Sequence, residues 1–172
     1  NVNKKIKTTK KNKFRNKKGG GYYEDIREFI RTCANGNLDK AKSIYQNNPN
    51  IDISAENEKA FRESAENGHL HVVKWLYEIK PTIKLSVNGN STFIYTCDNG
   101  KLDVAKWIYE NNPSITIKDI KIAYKWSGKN GHLDVADWLL EIINKLQPRG
   151  NKTRMTEEEF NNCEKDDEGK VT

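Results

Sequence analysis

Four short segments of the sequence repeat one another around a glycine. Each has the form Asn-Gly-x-Leu, and their glycines are Gly36, Gly68, Gly100 and Gly131. Successive glycines are 32, 32 and 31 residues apart. A period of this length, sustained over most of a 172-residue chain, is typical of a solenoid in which stacked supersecondary units share one continuous core. The repeat therefore constrains the fold more strongly than any local motif.

The residues on either side of each glycine predict two helices. An aromatic residue stands seven positions before the glycine and a small residue three positions before it, and this spacing of four places both on one helical face. The aromatic residues are Phe29, Phe61, Phe93 and Tyr124, and the small residues are Cys33, Ala65, Cys97 and Gly128. After the glycine, series such as Leu70, Val73 and Trp75 predict a second helix with a broad apolar stripe.

A proline follows each of the first three predicted helix pairs. Pro49, Pro81 and Pro113 are expected to end the second helix, because proline lacks a backbone donor and pushes its predecessor out of the α region. The apolar alternation after each proline predicts a short extended finger. These fingers are Ile51-x-Ile53, Ile83-x-Leu85 and Ile115-x-Ile117. The pattern predicts an all-α solenoid of about four helix-turn-helix repeats over residues 22–147.

In its period, its order of elements and its turn, the chain resembles the ankyrin-repeat family. That family builds each unit from a β-turn finger and two antiparallel helices, with Gly-His-Leu-x-x-Val at the turn, and the match covers about residues 22–146. The family's Thr-Pro-Leu-His opening of the first helix is absent, which removes the residues that usually hydrogen-bond neighbouring repeats. The Asn-Gly-His-Leu and Lys-Trp-Leu-Tyr-Glu motifs are most similar to ankyrin arrays of large amoeba-infecting DNA viruses.

The ankyrin resemblance implies that partners bind a concave face made of finger tips and first helices. Positions ten, six and two residues before each glycine follow one helical stripe. They are Glu58, Arg62 and Glu66 in repeat two, Asn90, Ile94 and Asp98 in repeat three, and Lys121, Lys125 and Lys129 in repeat four. This stripe is expected to run from mildly acidic to strongly basic, although a solvated helix face would show similar charge. Tyr95 and Trp126 are predicted either to anchor a partner or to be partly buried.

Charge divides the chain into three parts. Residues 1–21 contain nine cations and no acid, namely Lys4, Lys5, Lys7, Lys10, Lys11, Lys13, Arg15, Lys17 and Lys18. This segment cannot bury a core and is predicted to be a flexible arm. Nucleic-acid binding, recognition by an import receptor and simple solvation remain open for it, whereas contact with a membrane surface is disfavoured because only Val2, Ile6 and Phe14 could insert. Residues 148–172 form an acidic tail for which disorder is predicted.

No arrangement of residues typical of catalysis occurs. His69 and His132 share the turn position of the repeat and are interpreted as structural, and His71 has no second ligand at metal-binding spacing. Cys33 and Cys97 occupy the small-residue position and are predicted to be packing residues. The sequence therefore predicts no catalytic residue, no metal site and no cofactor.

These observations favour a non-catalytic adaptor whose concave face binds a protein partner. The alternative is a nucleic-acid or ribonucleoprotein-associated factor anchored by the basic arm. The array is expected to be monomeric and to lie inside the cell, in the cytoplasm or nucleus. No membrane partner is predicted, because no apolar stretch approaches the length of a spanning helix.

Overall fold

A computed structural model describes residues 20–147, so both the predicted basic arm up to residue 19 and the predicted acidic tail lie outside the described residues. Within this range the chain forms eight α-helices and no β-strand, which confirms the all-α solenoid. The first helices of the four repeats are α1 (Gly20–Ala34), α3 (Ala55–Glu66), α5 (Val87–Asp98) and α7 (Ile117–Lys129). The second helices are α2 (Leu38–Asn47), α4 (Leu70–Ile79), α6 (Leu102–Asn111) and α8 (Leu133–Leu146).

Every first helix ends in the same glycine turn. At Gly36, which has a φ of 74°, the N–H donates to the carbonyl of Cys33, and the next N–H donates to the carbonyl of Thr32. This pair of bonds is a Schellman motif, which needs a left-handed residue that glycine supplies without strain. The same two bonds recur at Gly68, Gly100 and Gly131. The same backbone motif therefore reverses the chain between the two helices in each of the four repeats.

The prolines mark the ends of the second helices as predicted, but the fingers are turns rather than extended strands. In the first finger the N–H of Ile51 donates to Asn48 and that of Ala55 donates to Asp52, which gives two consecutive turns. The side chains of Ile51 and Ile53 are both buried. Ile117, predicted to lie in the third finger, is instead the first residue of α7.

The difference between the 32-residue and 31-residue spacings has a structural counterpart at the start of the first helices. In α3, three consecutive residues from Glu56 to Glu58 have left-handed φ values between 55° and 58°, and Asn88 to Asn90 repeat this conformation in α5. In the fourth repeat, whose glycine spacing is one residue shorter, a capping box between Thr116 and Asp119 starts α7 directly. The extra residue of the longer repeats is thus accommodated in a left-handed turn.

The core lies between successive repeats. First helices pack in series, α1 on α3, α3 on α5 and α5 on α7, and each also packs on its own second helix. The three phenylalanines seven residues before the glycines are fully buried. Trp75 packs against Phe29 in a tilted arrangement and edge-on against Tyr45. Trp107 and Trp138 are half-buried against the same core. Burial of these rings against the neighbouring repeat supplies the main hydrophobic stabilisation of the stack.

Asparagine side chains form hydrogen bonds between adjacent repeats. The Nδ2 atom of Asn67 donates to the carbonyl of Ala34 in the preceding repeat at 2.9 Å, and Asn99 donates to the carbonyl of Glu66 at 3.2 Å. In the last repeat, Asn130 donates to Oδ1 of Asp98 at 2.7 Å. The asparagine that precedes each turn glycine therefore links adjacent repeats.

Candidate functional site

The predicted stripe of concave-face residues is wrong in phase at four positions. Glu58, Asn90, Ile94 and Lys125 were expected to be exposed, but their side chains are only 5% to 8% accessible. For Glu58 and Asn90, ten residues before the glycine, the reason is that the side chain is directed towards the following repeat. Sequence spacing alone gave the correct period but the wrong helical face.

Glu58 and Asn90 contact the finger of the following repeat. Oε1 of Glu58 accepts a long bond of 3.5 Å from the backbone N–H of Lys84, and its Oε2 has no hydrogen-bond partner. Nδ2 of Asn90 donates to the carbonyl of Ser114 and to Oδ2 of Asp119, while Oδ1 of Asn90 accepts from the side chains of Asn112 and Ser114. These two residues hold repeats together and are unavailable to a partner.

Arg62 is half-buried and serves the left-handed turn of its own helix. Its Nε atom donates to the carbonyl of Asn57 at 2.8 Å, and a second guanidinium nitrogen lies 3.4 Å from the carbonyl of Glu56. The carbonyls of a left-handed turn cannot join the helical ladder, so this contact satisfies them.

The remaining predicted residues keep some access to solvent. Glu66, Asp98 and Lys121 are half-buried, and Lys129 is exposed. Burial raises the pKa of the Glu66 carboxyl, and the nearby charge of Arg62 partly opposes this rise. Since Lys125 is buried and Lys121 is half-buried, the lysines of repeat four do not form the continuous exposed stripe that the sequence suggested.

The exposed surface of the first helices lies one residue further along the sequence. We call it the first-helix face and define it by the residues nine and five positions before each glycine. They are Arg27, Arg31, Lys59, Glu63, Ser91, Tyr95, Ile122 and Trp126, all of them exposed or half-buried. The sequence pattern selected the position five residues before the glycine but not Arg27 or Lys59. Each of these lies four residues before that position, so one further step along the same helical stripe identifies both.

Tyr95 and Trp126 form the largest aromatic feature of the first-helix face. Tyr95 on α5 is 44% exposed and Trp126 on α7 is half-buried, with ring centroids 5.9 Å apart and planes inclined at 38°. Trp126 is therefore partly buried, as one of the two alternatives predicted, while anchoring of a partner by the pair stays a prediction. A rigid aromatic surface of this kind binds apolar groups at little cost in conformational entropy.

The opposite end of the first-helix face is charged. A groove of about 350 Å³ between α1 and α3 is lined by Arg27, Arg31, Lys59 and Glu63, together with Glu56 and neighbouring residues. Lys59 forms an ion pair with Glu56 at 2.7 Å and approaches Glu63 at 4.0 Å. The bond from Lys59 lowers the pKa of Glu56. Neither Arg27 nor Arg31 makes an ion pair with a described carboxylate.

The histidines and buried cysteines have packing roles. The ring of His69 lies against Gly36 of the preceding repeat, and His132 lies in the same way against Gly100. His71 is exposed, with Nε2 placed 2.9 Å from the carbonyl oxygen of Gly36. Burial raises the pKa of the Cys33 thiol to about 12 and raises that of Cys97 further, so neither is a thiolate at neutral pH. Cys163 lies outside the described residues.

The repeat geometry and the sequence agree on the class of the protein. Residues 29–119, more than half of the chain, match the family described as ankyrin repeats in three copies, and the chain belongs to this family. Ankyrin repeats are generally modules for protein interaction. No curated protein matches the chain in sequence. None of the helices between residues 20 and 147 is long and apolar enough to cross a membrane.

Proposed function

We propose that this chain is a non-catalytic adaptor that binds a protein partner on its first-helix face. The observation that carries the proposal is the Tyr95–Trp126 pair, which leaves a large aromatic surface open to solvent on adjacent, tightly packed helices. Aromatic residues of this kind are enriched among the residues that dominate binding energy at protein interfaces. Among the predicted site residues with solvent access, Asp98, Lys121 and Lys129 lie on the same two helices as this pair, and Arg62 and Glu66 lie on α3 before them.

Site-specific photocrosslinking tests this proposal with a well-matched control. Tyr95 and Tyr22 are both 44% exposed, but Tyr22 lies at the start of α1, away from the first-helix face. A photoreactive phenylalanine analogue at position 95 should capture one defined protein, and Tyr95→Ser should abolish binding of that protein. The same changes at Tyr22 should have no effect. Equal capture at both positions would show that the aromatic pair is not the binding site.

The absence of catalysis is part of the same proposal. Burial of Cys33 and Cys97 and the packing roles of His69 and His132 support it. A screen with fluorogenic hydrolase, kinase and phosphatase substrates should show no turnover. An activity abolished by one point substitution would contradict the assignment as an adaptor.

The alternative function, nucleic-acid binding by residues 4–18, remains a prediction from sequence because that segment lies outside the described residues. Deletion of residues 1–21 should remove the binding and flatten its salt dependence, since each phosphate contact contributes a slope of about −0.7 to −0.9 in log K against log salt. Unchanged affinity for RNA and DNA after the deletion would exclude the arm as the anchor.

Three further assignments belong to the proposal. A monomeric array is expected, and the three scattered cysteines favour a reducing compartment, the cytoplasm or the nucleus. The similarity to ankyrin arrays of amoeba-infecting viruses rests on the Asn-Gly-His-Leu and Lys-Trp-Leu-Tyr-Glu motifs alone. Light scattering and fractionation of expressing cells check the first two.

A further inference from the structure

We propose that the partner presents an extended segment with two adjacent acidic residues about five or six positions from a large apolar residue. Arg27 and Arg31 bind the carboxylates, and Tyr95 with Trp126 binds the apolar side chain. This inference rests on the proposed function and specifies the chemistry of the partner.

The arginines and the aromatic pair lie on the same surface. Arg31 and Tyr95 both stand five residues before a turn glycine and therefore occupy equivalent positions in their repeats. The groove between α1 and α3 contains Arg31 and its counterpart Glu63, and the rings of Tyr95 and Trp126 meet across the interval between α5 and α7. Side chains at this position thus approach one another from repeat to repeat along the first-helix face.

Neither arginine forms a close ion pair within the described residues, although the charge of Arg27 acts on Glu56 and that of Arg31 acts on Glu28 at longer range. Glu56 and Glu63, the acids that line their groove, are both approached by Lys59, and Glu28 pairs with Lys40 at 2.9 Å. Arg27 and Arg31 are one helical turn apart, and like charges at this spacing destabilise a helix by a few tenths of a kcal/mol. The last-turn position of Arg31 is favourable through the helix dipole, but Arg27 lacks this benefit. An external anion would supply the close ion pair that both arginines lack.

Guanidinium groups favour carboxylate or phosphate oxygens because their planar donors bind two oxygens at once. Acidic residues elsewhere on the first helices favour a carboxylate ligand over a phosphate ligand. Glu63 and Glu66, on α3, lie between the arginines and the aromatic pair in the order of the repeats. A uniformly charged polyanion such as RNA would be repelled there, whereas a peptide with acids at one end would not. The distribution of charge therefore favours a protein segment.

The separation of the two sites sets the spacing within the partner. From α1 through α3 to α5 there are two helix-to-helix intervals of roughly 8–10 Å each, or about 16–20 Å. An extended peptide advances about 3.3 Å per residue, so it spans this distance in about five or six residues.

Synthetic peptides test the inference on the full chain. The probe is a fluorescein-labelled peptide with two adjacent glutamates and a phenylalanine, separated by four neutral Gly and Ser residues, and binding is followed by fluorescence anisotropy. One control peptide shortens the neutral segment to a single residue, and another replaces glutamate by lysine. The first peptide should bind at least tenfold more tightly than either control.

Variants of the protein then show which residues bind the acidic end of the peptide and which bind its apolar end. The double variant Arg27→Gln with Arg31→Gln, and separately Tyr95→Ser, should each weaken binding at least tenfold. The matched control is Lys42→Gln with Lys74→Gln, which removes two exposed charges from the second helices. A second control, Lys10→Gln with Lys11→Gln, removes the same charge from the basic arm. Both controls should change the affinity less than twofold.

The possible failures are distinguishable. If Tyr95→Ser abolishes binding but the arginine variant does not, or if the arm variant has the larger effect, the inference is wrong and the proposed function stands. If no peptide binds, the inferred combination of acidic and apolar residues in the partner is wrong. Photocrosslinking at position 95 then tests the proposed function independently. If single-stranded RNA displaces the peptide through Arg27 and Arg31 at lower concentration than unlabelled peptide, the ligand is a phosphate and the inference is overturned.

Discussion

The imidazole ring of His69 covers Gly36 of the preceding repeat. A Cβ atom at Gly36 would lie 2.5 Å from Nδ1 of His69, closer than any ordinary contact. His69 makes no capping bond to its own helix, so its structural role is to pack against the turn before it. Glycine is thus required at position 36 for two reasons: the backbone there is left-handed, and the ring of His69 leaves no room for a Cβ atom.

This double requirement can be measured by comparing Gly36→Ala with Gly131→Ala. Gly131 has a similar left-handed backbone, with a φ of 81°, but nothing lies within 4 Å of its Cβ position. Its replacement should cost only the backbone strain, about 1–2 kcal/mol, and Gly36→Ala should cost more in urea unfolding. In a His69→Ala background the cost of Gly36→Ala should fall towards the Gly131 value. Equal costs in both backgrounds would contradict the steric role of the ring.

Asn90 should be a main stabilising link between the third and fourth repeats. Asn90→Ala removes its contacts with Ser114, Asn112 and Asp119 and leaves buried partners unpaired, which should lower the free energy of unfolding by at least about 2 kcal/mol. Asn88→Ala is the matched control, since Asn88 is also left-handed but exposed. Chemical denaturation compares the two. Similar losses would mean that backbone strain, and not the hydrogen bonds, explains the effect.

The raised pKa of Glu66 predicts that the natural protein and Glu66→Gln differ in stability by an amount that depends on pH. A raised carboxyl pKa means that the folded state disfavours the charged form, so ionisation of Glu66 lowers stability as the pH rises through and above 4.5. Glu66→Gln should therefore be the more stable protein at pH 7. The difference should disappear below pH 4, where both side chains are neutral. Thermal melts at the two pH values decide this, and a pH-independent difference would show that the substitution acts through packing.

Cys33 and Cys97 should resist thiol reagents in the folded protein. Their burial and raised pKa values leave almost no thiolate at pH 8. A Cys163→Ser variant treated with Ellman's reagent should release colour slowly when folded and rapidly in concentrated urea. Rapid reaction of either thiol without denaturant would reveal local opening of the array.

Much of the architecture follows from local sequence. The glycine spacing predicted the repeat length, and the aromatic and small residues around it predicted both helices, because each of these signals acts within one or two helical turns. The prolines likewise predicted the ends of α2, α4 and α6. The left-handed turns at Glu56 and Asn88 were not predicted. The change of glycine spacing from 32 to 31 residues did indicate that the fourth repeat differs from the second and third, and α7 lacks this turn.

The candidate site was predicted less well. Tyr95 and Trp126 were selected correctly as a solvent-accessible aromatic pair, since the same position holds Arg31 and Glu63 in other repeats. Glu58, Asn90 and Lys125 were selected as polar members of a helical stripe with a spacing of four, yet all three are buried. Polarity is a poor guide there because a buried polar side chain is stable once it finds a hydrogen-bond partner, as Asn90 does in the next finger.

The identity and order of the helices can thus be predicted from the sequence of a single repeat, since backbone preference, capping and the apolar period all operate over a few residues. Which side of each first helix meets solvent is different, because it depends on how the next repeat packs against it. That packing sets a rotation of the helix that no residue spacing specifies, and a rotation of about 100° per residue is enough to exchange a buried position for an exposed one. For this reason Arg27 was identified as a surface group, and Glu58 and Asn90 as internal links, only in the assembled array.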